Sequence, residues 1–175
     1  MAKDPALSDR LRRLDPAAPQ PGPPAGRPPP RDLGDIAIHI ARDGSWFYRG
    51  SPITRARLVK LFATVLRREA DGSFWLVTPA ERGRITVEDA PFLAVELAAE
   101  GEGAAQALTF RTNLDEIVTA DAEHPIRVAT DPASGAPSPY ILVRGGLEAR
   151  LTRAVFYELV ERGIKDSSPQ SGFIA

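Results

Sequence analysis

The residues of this chain that can do chemistry are two histidines and a set of arginines; there is no cysteine. Disulfides, zinc–thiolate centres and cysteine nucleophiles are therefore excluded. His124 stands in "DAEHPIRV", close to Asp121 and Glu123. That string can offer oxygen and nitrogen to a metal. Without a further His or Cys the signal is weak, and an acidic turn entering a strand is the better reading. His39 falls on the strand face opposite Ile36, Ile38 and Ile40, a half-exposed position. No serine sits in a Gly-x-Ser-x-Gly elbow, and "RGGLEAR" lacks the Lys-Ser/Thr of a phosphate loop. Glu88 and Asp89 are neighbours, and neighbours on a strand point to opposite faces, so they make no acid–base pair. No catalytic residue, metal site or cofactor is assigned.

What remains suits recognition. Arg111 and Asn113 lie in "FRTNL", Arg127 follows His124 in "HPIRV", and Arg144 stands in "LVRGG". Arg55 and Arg153 each follow a threonine at an expected helix start, where free N–H groups and the helix dipole favour anions. The guanidinium fork grips carboxylate or phosphate through two parallel bonds. Trp46, Tyr48 and Trp75 can stack a base, or be core. Arg55, Arg111, Asn113, His124, Arg127, Arg144 and Arg153 are thus the expected lining for a small anionic or nucleotide-like ligand, bound without catalysis. The main alternative is an adaptor that binds a peptide or partner protein. A third reading, a small hydrolase or transferase, needs His124 within reach of a hydroxyl or carboxylate.

Two helices carry the paired arginines. "ITRARLVKLF" at 53–62 and "LTRAVFYELV" at 151–160 align as Thr-Arg-Ala followed by an apolar stripe, with "YRG" and "VRG" upstream. The match predicts a duplicated strand–helix motif and two related lobes, with a site at their seam. The first helix is expected to be capped by Ser51 or Thr54 and to bury Leu58, Leu61, Phe62, Val65 and Leu66, ending before Asp71-Gly72. The second is read from "LEARLTRAVFYELVERG", with Leu151, Val155, Phe156, Leu159 and Val160 inward and Gly163 as its stop. Between them, about seven short apolar segments broken by Pro, Gly, Asp and Asn read as strands.

The organisation expected is α+β. Residues 1–33 form a Pro-rich tail that includes Leu7, Leu11 and Leu14 on one helical face. Residues 34–80 form an N-terminal α+β lobe, residues 81–165 a C-terminal lobe with a curved antiparallel sheet and closing helix, and residues 166–175 a second tail. Strands closed by one C-terminal helix match the order of pleckstrin-homology-like folds, which bind lipids, peptides or proteins alike. In 175 residues, 22 basic and 23 acidic groups nearly cancel, so specific nucleic-acid binding is not expected. No run approaches the roughly 18 apolar residues of a membrane span, and a soluble cytoplasmic protein is the default.

The stretch "DGSWFYRGSPITRARLVKLFATVLRREADGSFWLVTPAERGRITVEDAPF", with "FRTNL", "HPIRV" and "YILVRGGLEARLTRAVFYELV", resembles a mainly proteobacterial family catalogued as domain of unknown function 1285. The resemblance covers roughly Asp35 to Arg162. It implies a two-lobed core on a duplicated motif, with a pleckstrin-homology-like C-terminal lobe. It further implies a pocket between the lobes for a nucleotide-like molecule, and a role in signal transduction. It supplies no catalytic residues.

Overall fold

The computed structural model of the chain describes residues 28–166, with side chains as far as residue 162. The expected Pro-rich tail, apart from its last residues, and the C-terminal tail lie outside these. The chain forms two compact units that divide after Glu88.

The described part of the first unit is a six-stranded sheet with one helix. Its elements are β1 (Arg31–Ile40), β2 (Trp46–Tyr48), β3 (Ser51–Pro52), α1 (Ala56–Thr64), β4 (Leu66–Arg68), β5 (Phe74–Val77) and β6 (Glu81–Val87). Strand order is β3-β2-β1-β6-β5-β4, with β1 and β6 parallel at the centre. Ile38 and Ile40 of β1 are buried, but the alternation is interrupted before them: the register with β6 shifts between Asp35 and His39, Ala37 takes a φ of 59°, and Ile36 is half-buried. Asp43-Gly44 turns the chain into β2: Ser45 N–H donates to Asp43 Oδ1 at 2.9 Å, and Gly44 takes a positive φ of 87°. Arg49-Gly50 makes the next hairpin. Both residues have positive φ, 50° and 80°, as a two-residue type I′ turn requires.

The first helix is shorter than its apolar stripe suggests. Ser51 and Pro52 pair as a strand, Arg55 holds the cap position in extended backbone, and no side chain caps the helix. The helix ends at Thr64, whose hydroxyl turns back to the Leu61 carbonyl at 2.6 Å. Leu66 then pairs with Leu76 through a hairpin built on Asp71-Gly72. The Asp-Gly signal therefore marks a β-turn and not a helix end, because pairing buries Leu66 and Leu76 on a shared face. Helix residues Val59, Phe62 and Ala63 cover the core, with Phe62 stacked on Trp46 at 6.1 Å between ring centroids. Each large side chain buried here contributes roughly 1.5–3 kcal/mol.

The boundary falls later than the one expected after residue 80. Thr78–Glu81 is a tight turn, with Thr78 N–H donating to the Glu81 carbonyl at 2.8 Å, and β6 completes the first sheet. Gly83 is fitted to its place in β6. A Cβ there would lie 2.5 Å from Ile36 Cγ2, so glycine lets Ile36 of β1 pass.

The second unit holds β7 (Phe92–Glu100), a 3₁₀ turn at Gly103–Ala105, β8 (Ala107–Thr112), β9 (Ile117–Thr119), β10 (Ile126–Thr130), β11 (Pro137–Arg144), β12 (Leu147–Leu151) and α2 (Arg153–Asp166). Strand order is β10-β11-β12-β7-β8-β9. The sheet is mixed and not antiparallel throughout, since β12 runs parallel to β7. Leu147–Leu151 was expected to open the last helix and is instead a strand. Leu147, Ala149 and Leu151 alternate inward, and pairing on both sides with β11 and β7 overrides the helix propensity of Leu, Glu, Ala and Arg. Helix α2 starts at Arg153, where Thr152 Oγ1 accepts from Val155 N–H at 3.3 Å, and continues past Gly163. Among its described side chains Val155 and Leu159 are buried, in a unit whose core includes Phe92, Phe110, Ile141 and Leu147.

Read from its first strand, each sheet has the same order: two three-strand meanders whose first and last strands meet in parallel. The aligned decapeptides do not fall on equivalent places in it. Each follows a hairpin with a type I′-like turn, Arg49-Gly50 or Gly145-Gly146, but the first leaves the third strand of its sheet and the second leaves the sixth. The duplication visible as strand order is thus not the one the decapeptides align. Among the described residues no helix is long and apolar enough to cross a membrane.

Candidate functional site

The arginines expected to bind an anion are held by carboxylates. Arg111 Nε donates to Glu96 Oε2 and its Nη1 to Asp115 Oδ1, both at 2.8 Å. A bulge in β7 creates the first pair. Ala94 faces Thr112 and Glu96 faces Arg111, so one extra residue turns Glu96 towards the guanidinium. The bond from Arg111 and its charge hold the Glu96 carboxyl below its ordinary range, and Glu96 in turn raises Arg111.

Arg127 makes a bidentate contact with Glu148, at 2.6 and 2.8 Å, reaching across β11 with its guanidinium 4.3 Å over the Tyr140 ring. Tyr140 hydroxyl donates to Asp89 Oδ1 at 2.6 Å, and Arg150 Nε lies 3.1 Å from Asp89 Oδ2. Glu148, Arg127, Tyr140, Asp89 and Arg150 therefore form one chain of contacts over β10, β11 and β12. Arg144 Nε donates to Glu116 Oε1 at 3.0 Å, with its charge near the face of Phe92. Arg111, Arg127 and Arg144 meet separate carboxylates, Arg111 two of them, Arg127 that of Glu148 and Arg144 that of Glu116.

Asn113 and His124 build turns. Asn113 Oδ1 accepts from Leu93 N–H at 3.0 Å, and its own N–H donates to the Leu93 carbonyl at 2.8 Å. Beside it, the fully buried Thr112 accepts the N–H groups of Leu114 and Glu116, shaping the turn in which Asp115 takes a φ of 65°. Asp121 Oδ1 accepts from the N–H of Glu123 and of His124 and meets the His124 ring at 2.9 Å. Chiefly through that ring contact, its carboxyl lies below its ordinary range. Among the described residues, no group of three or more His, Asp or Glu could hold a metal ion. Arg55 and Arg153 stand exposed at the starts of α1 and α2, one in each unit. Of the aromatics, Trp46 is buried against Phe62, and Trp75 has Arg82 stacked on its ring at 3.8 Å. Glu88 and Asp89 do go to different partners: Glu88 accepts from Arg42 N–H and lies 3.4 Å from His39 Nε2.

A feature with no sequence signal lies elsewhere in the second unit. Val95, Leu97 and Ala98 of β7, Thr109 of β8, Ile117 of β9 and Ala154 of α2 line an open groove of about 490 Å³. Ile117 is 63% exposed, unusual for an isoleucine on a strand, and β9 is the edge of its sheet. Glu96, Arg111 and Glu158 stand along the groove. Glu158 also lines a second depression, of about 580 Å³, with Gly101, Glu102, Glu161 and Arg162. Ala154, Glu158 and Glu161 are spaced i, i+4, i+7, so one face of α2 borders both. The sequence shows an amphipathic helix; it does not show that β7 and β8 leave open space beside it.

Two profiles describe this architecture. That of the N-terminal domain of unknown function DUF1285 matches residues 23–90, and that of the C-terminal domain of the same family matches residues 91–174. The chain belongs to the DUF1285 family. The two profiles meet close to the division between the structural units. Solved relatives agree. A DUF1285 family protein from Silicibacter pomeroyi DSS-3 is 45% identical, with 87% of this chain and 81% of that one covered at a TM-score of 0.77. One from Shewanella baltica OS155 is 29% identical, with 73% and 92% covered at a TM-score of 0.56. No curated protein matches the chain.

Proposed function

We propose that this DUF1285 protein is a non-enzymatic interaction module, and that its second unit recognises a peptide segment of a partner protein in the groove beside α2. The observation that carries this reading is an exposed, largely apolar groove beside α2, lined by Val95, Leu97 and Ala98 of β7 and by Ile117 of the edge strand β9, with Arg111 on its lining already held by Glu96 and Asp115. Part of the proposal is that the second unit, six strands followed by a closing helix, serves as a recognition platform in the manner of pleckstrin-homology-like units.

The small-anion reading has less support. A nucleotide-like ligand would compete with Glu96 and Asp115 for Arg111, with Glu148 for Arg127 and with Glu116 for Arg144. Two carboxylates beside one guanidinium leave the Arg111 locality negative, which disfavours phosphate. Arg55 and Arg153 remain open, but a helix start with an exposed arginine is a modest attraction alone.

Selection of random displayed peptides on the full chain tests the proposal. Enriched peptides are expected to lose at least tenfold in affinity for Ile117→Asp, a substitution at an exposed site that leaves the core alone. Enriched peptides that bind Ile117→Asp as well as the parent chain would contradict it.

A further inference from the structure

Carboxylates outnumber cations along the groove. Glu96 and Glu158 stand on its first part, and Glu158, Glu102 and Glu161 on the depression that continues it along α2. The cations there are Arg111 and Arg162, and Arg111 is already bonded to both Glu96 and Asp115. All four glutamates are exposed. The imbalance extends to the whole half-chain: residues 89–175 carry seven Lys and Arg against thirteen Asp and Glu. A negative rim around an apolar floor rejects acidic segments, and attracts basic ones both in encounter and in the bound state.

We infer that the segment this groove takes is basic as well as apolar: large aliphatic residues against its apolar lining, the exposed Ile117 above all, with lysines or arginines spaced to meet Glu158 and Glu161. This rests on the reading of the groove as a peptide site and adds the chemistry of its occupant. Glu158 is the specificity residue, because it is shared by both depressions. Glu96 is the lesser one, since Arg111 already neutralises part of its charge.

The test uses the full chain and three fluorescein-labelled synthetic peptides of about 14 residues, ~21 Å long if helical. Each keeps leucines at the same positions; the polar positions are all Lys, all Ser or all Glu. Anisotropy titrations are expected to rank them Lys, then Ser, then Glu, with at least tenfold between the first two. The lead of the Lys peptide should shrink as salt is raised from about 0.05 to 0.5 M. Glu158→Lys should abolish the preference for the Lys peptide while keeping the leucine-dependent binding of the Ser peptide. Equal binding of the Lys and Ser peptides, or a preference that Glu158→Lys leaves intact, would overturn the inference and leave the groove standing. Failure of all three peptides would instead overturn the groove itself.

Discussion

The two units of this chain use one strand order for two different surfaces. In the first, the helix leaves the third strand, is nine residues long, and presses Val59, Phe62 and Ala63 into the core. In the second, the helix leaves the sixth strand and continues for fourteen residues, with Val155 and Leu159 inward and a groove along its flank. Charge separates them as well. Residues 1–88 hold fifteen Lys and Arg against ten Asp and Glu, and residues 89–175 hold seven against thirteen. A chain with a net charge of −1 therefore conceals a positive half and a negative half. The sheet sets where a helix can attach; the attachment point and the surface charge decide what the unit can bind.

The comparison breaks most visibly at the cores. Phe62 and Phe110 are each almost fully buried, one in each unit, and Phe→Ala at such sites costs about 3–5 kcal/mol. For Phe110→Ala, hydrogen exchange is expected to show lost protection across β7, β8 and β11, while Ile38, Ile40 and Ile85 amides keep theirs. Phe62→Ala should do the reverse. Loss of protection throughout the chain from either substitution would mean that the two units do not have separate cores.

A smaller effect sharpens the contrast between equivalent strands. Gly83 in β6 stands so close to Ile36 that any Cβ forces a shift, whereas β12, at the same place in the other sheet, carries the buried Ala149. Gly83→Ala is expected to lower stability by about 1–3 kcal/mol in denaturant titration, through overpacking. Relief by Ile36→Val in the double variant would identify the clash as the cause. No loss of stability on Gly83→Ala would show that β1 and β6 yield more easily than their spacing suggests.

Much of the fold is legible in local sequence and little of the site is. Ile36, Ile38 and Ile40 announce a strand by period, and Asp43-Gly44 announces its turn. Leu147-Glu148-Ala149-Arg150-Leu151 misleads, because every residue in it is a good helix former while its partners, β7 and β11, are set by tertiary pairing. The Asp71-Gly72 turn misleads for the same reason: a hairpin and a helix end share their grammar. The arginines stand out as polar residues amid apolar strands, but apart from Asp115, four residues from Arg111, what neutralises them is distant. Glu96 is 15 residues from Arg111, Glu148 is 21 from Arg127, and Glu116 is 28 from Arg144. The groove is less legible still. It consists of space left between β7, β8, β9 and α2, and empty space has no residue to mark it.

The central claim is that recognition belongs to the groove of the second unit. Its most direct test is a map of backbone amide shifts in the full chain, labelled with nitrogen-15 and titrated with the Leu/Lys peptide. The account predicts progressive shifts at Val95–Ala98, Thr109, Arg111 and Ile117, and along the Ala154 to Glu161 face of α2. Shifts confined to the first unit, around Trp75, Arg82 and Arg84, with β7 and α2 unmoved, would contradict it.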